Sequence, residues 1–387
     1  MIAKRIKNLM PSPTLMLDAK VKQMKQKGID VINLTLGEPD FETPLYIKKG
    51  AIKAINDGFT HYTNTAGILE LRKAISNKYL KENGVLYNSN EIIVGTGSKQ
   101  LLYSLFQVIL DRGDEVIIPI PTWSTYVEQV KLAQGKPVFI TLSLPFKLTL
   151  NDLKNKISSK TKAVLINSPS NPTGAVVEKK ELKKIAKFAG EKNILIISDE
   201  IYEKIIYEKK HISVCSLGKK IKKYSITVNG VSKAYAMTGW RIGFALGPKI
   251  IIEKMADLQS QMTSNASSIG QMAAFYALKG DQKETVKMKN EFMKRRNVIY
   301  KKLKEIKSLD VIKPEGAFYF FVGIKKLLGK KYKTSSKWCE ALLEKEKVAV
   351  VPGEAFLYPN YFRLSFAASL DLLEKALERI KIFCEDK

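Results

Sequence analysis

The middle of the chain is a series of short, nearly continuous apolar runs separated by amphipathic stretches. The runs are EIIVG (91–95), EVIIPI (115–120), PVFITL (137–142), AVLINS (163–168), ILIIS (194–198), SITVNG (225–230) and RIGFALG (241–247). Runs without polar alternation predict strands covered on both faces. Helical patterns such as SKQLLYSLFQVIL (98–110) and EKKELKKIAKFAGE (178–191) lie between most of them. This alternation predicts a mostly parallel seven-stranded sheet wrapped by helices. Only SITVNG and RIGFALG are joined without a clear crossover helix, so RIGFALG is expected to run antiparallel.

The two ends of the chain read differently. KGIDVINLTLGEPD (27–40) is a strand entering a turn. After a long helical stretch, GAFYFFVGI (316–324), VAVVPG (348–353) and YFRLSFAAS (361–369) read as strands, and DLLEKALERIKIF (371–383) as a closing helix. The expected organisation is a large domain over 45–285 and a smaller α/β domain built from 1–44 and 286–387. No repeat, low-complexity block or long linker interrupts this pattern.

In open α/β sheets, ligands bind beyond the carboxyl ends of the strands. The residues just past those ends are TGSKQ (96–100), PIPTW (119–123), NSPSNPTG (167–174), SDEIY (198–202) and NGVSK (229–233). They supply Gly97 and Ser98 at a turn into a helix, Trp123, Asn171 in a proline-rich turn, Asp199 three residues before Tyr202, and Lys233. Each alone has an ordinary structural use as a turn, a core aromatic, an N-cap or a surface lysine. Together they meet the needs of one cofactor, pyridoxal 5'-phosphate. The lysine can form a Schiff base, and the carboxylate can keep a pyridine nitrogen protonated. The aromatic can stack on the ring, and a helix N-terminus can hold a phosphate dianion. Other chemistries lack their residues: no GxGxxG follows the first strand, GTGSKQ lacks the Walker spacing, and there is no Ser-His-Asp set. Cys215, Cys339 and Cys384 are scattered and His61 and His211 are the two histidines, so no metal site is expected.

Charge changes the picture in one respect. Only eight of the 65 Lys+Arg residues are arginine, and Arg241 is the sole one between Arg112 and Arg295. Arginine offers a planar fork that matches phosphate and carboxylate, which lysine does not. Arg241 and Arg363 both border apolar strands; the first suits a cofactor phosphate and the second a substrate carboxylate. The net charge of +27 is spread over nearly every segment. Clusters such as GKKIKK (218–223) are short and lack interleaved aromatics, so a nucleic-acid partner is not expected. No apolar run approaches the ~20 residues of a membrane span, and MIAKRIKNLMPSPT lacks the apolar core of a signal peptide. A cytoplasmic protein without a membrane partner is the expectation.

SKAYAMTGWRIGF (232–244), NSPSNPTG, SDEIY and LGEPD (36–40) together resemble the class I aminotransferases, which are fold type I pyridoxal-phosphate enzymes. The likeness runs from PSPT (11–14) to YFRLSF (361–366), with the motifs in order. It is nearest to the bacterial aspartate aminotransferases that include aspartate/prephenate enzymes. The resemblance implies that Lys233 is the Schiff-base lysine and that Asp199 pairs with the pyridine nitrogen. It implies that Tyr202 and Asn171 bond the ring's phenolic oxygen and that Trp123 stacks on the ring. Gly97, Ser98, Lys99 and Arg241 would surround the phosphate, joined by Tyr62 (in HYTNTAG) from the neighbouring subunit of a homodimer. Arg363, Asn171, Trp123 and the backbone of Gly37 would receive the substrate's α-carboxylate side, with Thr14 and Lys99 at positions tied to dicarboxylic and prephenate substrates. The implied reaction is ping-pong transfer of an amino group between L-aspartate or glutamate and a 2-oxo acid, with prephenate as a further substrate.

The chain departs from the family pattern in places. Gly230 replaces a common phosphate-binding serine, SNASS (264–268) replaces SNPSS, and Ser260 stands near the position of the distal arginine found in other aspartate enzymes. An aromatic or broad-specificity aminotransferase, or a pyridoxal-phosphate C–S lyase, would share the fold. A lyase would release pyruvate and ammonia without an amino acceptor.

Overall fold

A computed structural model describes residues 2–7 and 9–386 of the chain. Its strands are β1 (Ile32–Asn33), β2 (Ile92–Gly95), β3 (Glu115–Ile120), β4 (Lys136–Thr141), β5 (Thr161–Asn167), β6 (Leu195–Asp199), β7 (Ser225–Gly230), β8 (Gly243–Leu246), β9 (Tyr319–Gly323), β10 (Val348–Ala349), β11 (Val351–Pro352) and β12 (Tyr361–Ser365). The seven central apolar runs form one sheet in the order β2-β8-β7-β6-β5-β3-β4. β3 to β7 pair in parallel, whereas β8 is antiparallel to both β7 and β2. RIGFALG is therefore the antiparallel strand, as its missing crossover predicts. β2, β7 and β8 are buried along their whole length, which is why their sequences do not alternate. β4, at one edge, is half-exposed.

The helices cover the sheet through one apolar stripe each. In the helix Lys179–Glu191 the buried positions are Leu182, Ile185, Ala186, Ala189 and Gly190, spaced for one helical face, and the lysines take the other. The helix Ser98–Ile109 buries Leu101, Leu105 and Ile109 in a cluster with Val116, Ile118 and Val228 of the sheet. Only Thr96 and Gly97 separate it from the end of β2, so its N-terminus lies at the carboxyl edge of the sheet.

The chain ends meet. β1 pairs in parallel with β10, Ile32 opposite Val348, while β11, β12 and β9 form a three-stranded antiparallel sheet. The single strand expected over 348–353 is thus two short pieces that serve different sheets. The β1 pairing stops at Ala349, Val351 then pairs with Arg363, and Pro352 has no amide to extend the ladder. The long helix Lys283–Glu305 and the last helix Leu370–Glu385 bury Phe292, Ile299, Leu303, Leu373 and Ile380 against Phe318, Phe320 and Phe362. Ile32 and Leu34 join the same cluster, so residues near the start of the chain share a core with its last strands. No described helix is long and apolar enough to cross a membrane.

Candidate active site

The carboxyl ends of β2, β5, β6 and β7 open onto one cavity of about 470 Å³. Lys233 lies three residues beyond β7 and reaches into it, its ammonium donating to the Gly37 carbonyl. Burial takes water from that ammonium and, with Arg241 and Arg363 close by, brings its pKa down to about 8. Glu38 and Asp199 act in the opposite direction.

Asp199 is the last residue of β6 and is 3% exposed. The Tyr126 hydroxyl donates to its Oδ2 at 2.6 Å and the Ile201 amide to its Oδ1 at 3.1 Å. Desolvation nonetheless pushes its pKa up to about 6. A protonated ring nitrogen in the cavity would supply the positive charge that this buried carboxylate needs in order to stay ionised. Next to it, Asn167 ends β5. Its Nδ2 donates to the Asp199 carbonyl at 3.1 Å and its Oδ1 accepts the Asn171 amide at 2.8 Å. That pair fixes the proline-rich turn, in which the Asn171–Pro172 bond is cis.

Asn171 passes the site on to Arg363, whose Nη1 donates to Asn171 Oδ1 at 2.9 Å and whose Nη2 donates to the Thr35 carbonyl at 2.6 Å. Arg363 is 2% exposed, and its guanidinium lies 4.4 Å from the Tyr319 ring centroid. Its buried Nε has no hydrogen-bond partner among the described residues. Burial lowers its pKa, but an arginine stays charged at any ordinary pH. The Tyr202 hydroxyl bonds the Tyr319 hydroxyl at 2.8 Å in the cavity wall.

Across the cavity, two glycines allow a close approach. A Cβ on Gly97, whose φ is +79°, would come within 2.4 Å of Arg241 Nη2, and one on Gly243 within 2.3 Å of the Ser98 amide nitrogen. The Arg241 guanidinium is therefore pressed against the first turn of Ser98–Ile109, where amides lack intrahelical partners. Arg241 is itself in the left-handed region, φ +55°, and its Nη1 donates to the Thr238 carbonyl at 2.9 Å. Free amides beside a guanidinium form a cradle for a phosphate dianion. The Ser98 hydroxyl donates to the Asn229 carbonyl at 2.8 Å. A Cβ at Gly230 would press on Ser98 Oγ and the Ile242 carbonyl, both at 3.0 Å, so this chain keeps no side chain there. The donor set fits pyridoxal 5'-phosphate: an amine, a buried carboxylate, a flat aromatic and an anion cradle face one space.

Lys99 and Thr14 also line the cavity. The Lys99 ammonium lies 4.8 Å over the Trp123 ring, and burial and Arg241 lower its pKa. Thr14 Oγ1, in the helix Pro13–Gln26, is 3.0 Å from Ser12 Oγ. Tyr62 does not join the site within one chain. It is 90% exposed, and the next amide, Thr63, bonds Asn265 of SNASS at 3.2 Å. Ser260 is exposed and its hydroxyl donates to the Asp257 carbonyl, away from the cavity walls.

Sequence reading missed Tyr126, Tyr319, Asn167, Ser12 and Glu38. Asn167 and Glu38 sit inside the quoted NSPSNPTG and LGEPD, but Tyr126 and Tyr319 carry no local signal among sixteen tyrosines. The fold also gathers Glu200, Glu203 and His211 within 4.8 Å, a potential ligand set that spacing along the chain does not reveal. The Lys78 ammonium is paired with Glu203, and Glu200 accepts from Ser198, Ser213 and the Val214 amide, so these carboxylates already have partners.

Residues 29–380 match the family described as aminotransferase class I and II. The chain belongs to this family. It is 49% identical over 387 residues to the aspartate aminotransferase of Bacillus sp. (strain YM-2), covering 99% of each chain. It is 46% identical to the probable aspartate/prephenate aminotransferase of Aquifex aeolicus, covering 100% of this chain and 99% of that one. Among solved structures, the Thermus thermophilus aspartate aminotransferase with maleate superposes with a TM-score of 0.94 at 40% identity, covering 99% of each chain. The protein is an aminotransferase, and its fold is that of these enzymes.

The charge balance around Lys233 sets the pH at which its amine titrates. The neutral amine is the form that reacts with aldehydes, so reductive alkylation of Lys233 in the cofactor-free protein should speed up with pH through a midpoint of about 8. Glu38 raises the Lys233 pKa, so Glu38→Gln should move the midpoint to lower pH. A profile of alkylation rate at Lys233 against pH, read by peptide mass spectrometry, checks both; a midpoint that stays in place or moves up contradicts the balance.

Proposed function

We propose that this aminotransferase holds pyridoxal 5'-phosphate and moves an amino group between L-aspartate or glutamate and a 2-oxo acid, with prephenate as a further substrate, in a homodimer with shared sites. The observation that carries this reading is that the Lys233 amine, the Asp199 carboxylate and the Arg363 guanidinium face one cavity. The aspartate and aspartate/prephenate names of its relatives support the substrate class, as does maleate, a dicarboxylate, in the Thermus enzyme.

When bound, the cofactor supplies an electron sink for the charge that develops at the substrate's α-carbon. The chain's own residues do the rest. Asp199, held by Tyr126 and the Ile201 amide, would keep the ring nitrogen protonated. Arg241 and the first-turn amides at Ser98 would hold the phosphate, with Lys99 close by. Trp123 would cover the ring, and Tyr202 and Asn171 would face its phenolic oxygen. Arg363, already aligned by Asn171 and Thr35, would take the α-carboxylate in a bidentate grip. With the carboxylate held there, the Lys233 amine would take the proton from the α-carbon as a general base and deliver it to the carbon through which the cofactor holds the amino nitrogen. Tyr62, whose phenol is in solvent in one chain, would complete the phosphate cradle of the partner subunit.

Purified protein should be yellow and should change its visible spectrum when an amino acid is added without an acceptor. Lys233→Ala should retain the cofactor loosely and lose turnover by several orders of magnitude. A colourless protein that added cofactor leaves unchanged would overturn the reading.

Specificity should reside in Lys99, with Thr14 adding a hydroxyl from the N-terminal helix. A distal carboxylate must shed water to bind, which is costly without a partner, and the Lys99 ammonium lies in the cavity wall beside Trp123. Losing a desolvated charge pair costs ~2–5 kcal/mol. Lys99→Ala should therefore lower kcat/KM for aspartate and prephenate at least about tenfold more than for alanine or methionine. An equal loss on charged and uncharged substrates would return Lys99 to the cofactor alone.

Shared sites predict complementation. Mixed Lys233→Ala and Tyr62→Phe subunits should form heterodimers in which one site carries both lesions and the other neither. Specific activity should then rise above both parents; no rise after verified subunit exchange counts against the shared site.

A further inference from the structure

The segment 35–41 crosses the cavity mouth and is tied down at several points. The Thr35 carbonyl accepts from Arg363, the Gly37 carbonyl from Lys233, and Glu38 Oε2 from the Thr238 hydroxyl at 2.8 Å. The Lys233 tie uses the amine that cofactor and substrate claim in the proposed reaction, so it cannot hold the segment through turnover.

The far end is held differently. Arg295, on the helix Lys283–Glu305, places Nη1 at 2.8 and 2.9 Å from the two carboxylate oxygens of Asp40, and its Nε at 2.9 Å from Glu291 Oε1. Its side chain is 7% exposed, and its guanidinium lies 5.0 Å from the Phe41 ring centroid. Phe41 in turn meets Phe292 edge-to-face at 5.2 Å, and Phe292 is fully buried. None of these atoms lines the cavity. One guanidinium thus serves two carboxylates on different segments while lying over an aromatic face. A lysine ammonium cannot spread its donors in that way, and this is one of the eight places where the lysine-rich chain keeps an arginine.

We propose that Arg295 is a positioning residue for amino transfer: by holding Asp40 it fixes segment 35–41 at the cavity, so that the Gly37 backbone stays in register with Arg363 when the Lys233 amine turns from Gly37 to cofactor and substrate. This rests on the function proposed above. The fixed anchor matters because a displacement of about 1 Å in a substrate-positioning group can cost on the order of a hundredfold in rate.

The test uses the cofactor-loaded dimer and the variants Arg295→Lys, Asp40→Asn and the double variant. The measurements are kcat and KM for aspartate, maleate affinity by calorimetry, cofactor affinity, and Tm. Each single variant should raise KM for aspartate and Kd for maleate at least about tenfold, with cofactor affinity within about threefold of wild type. The double variant should be no worse than the worse single, because both lesions break one bond. A lower Tm or weaker cofactor retention with unchanged KM and maleate Kd would show a merely structural bond and overturn the proposal. If Arg295→Lys does not fold, Asp40→Asn decides alone: wild-type KM and maleate Kd overturn it. Failure of the underlying reading looks different, since wild-type protein would then neither transaminate aspartate nor bind maleate.

Discussion

Keeping the Lys233 amine out of water is the constraint on which the rest of the structure depends. An ammonium is hard to bury, and it is harder still to bury beside two guanidinium groups. The fold meets this by setting the lysine at the carboxyl edge of the sheet, against one backbone carbonyl, with two carboxylates near enough to limit the fall in its pKa. Asp199 stands in the mirror situation, a carboxylate raised by burial and restrained by two hydrogen bonds. An amine made less basic and a carboxylate made more basic share one space, and the same loss of water brings both titrations toward neutral pH.

The sheet topology makes this arrangement available. Parallel strands deliver their ends to one edge, so β5, β6 and β7 bring Asn167, Asp199 and the segment leading to Lys233 side by side. The antiparallel β8 then carries the chain back, and its first residue, Gly243, lets Arg241 and the N-terminus of Ser98–Ile109 close together. The opposite wall comes from elsewhere, from β12 and the segment after β1. The cavity therefore lies where two separately built walls meet.

Much of this is legible in the sequence because it is local. Continuous apolar runs mark the strands, and the residues just beyond them mark the sheet edge, so the pattern alone places Ser98, Trp123, Asn171, Asp199 and Lys233 together. The scarcity of arginine points to Arg241 and Arg363 for a physical reason, the geometry of the fork. What stays hidden depends on pairings across the fold. Tyr126 is visible as a partner of Asp199 only once the helix Ser124–Leu132 lies beside the end of β6, and Tyr319 only once β9 lies beside β12. The division of VAVVPG between two sheets depends on partners far away in the sequence. Tyr62 lies on the outer surface of the single chain, and no contact within that chain brings it to the cavity.

The pairing of Ile32 with Val348 also orders events in time. A chain emerging from a ribosome can build the central sheet from contacts made within its first two-thirds. The segment carrying Gly37 must wait, because its sheet neighbour, its Arg295 anchor and its Arg363 partner are all synthesised later. Contacts this far apart are closed late and slowly. A Lys233 pocket that closes before those residues emerge lacks its cover, and its amine is then open to solvent and to any aldehyde in solution.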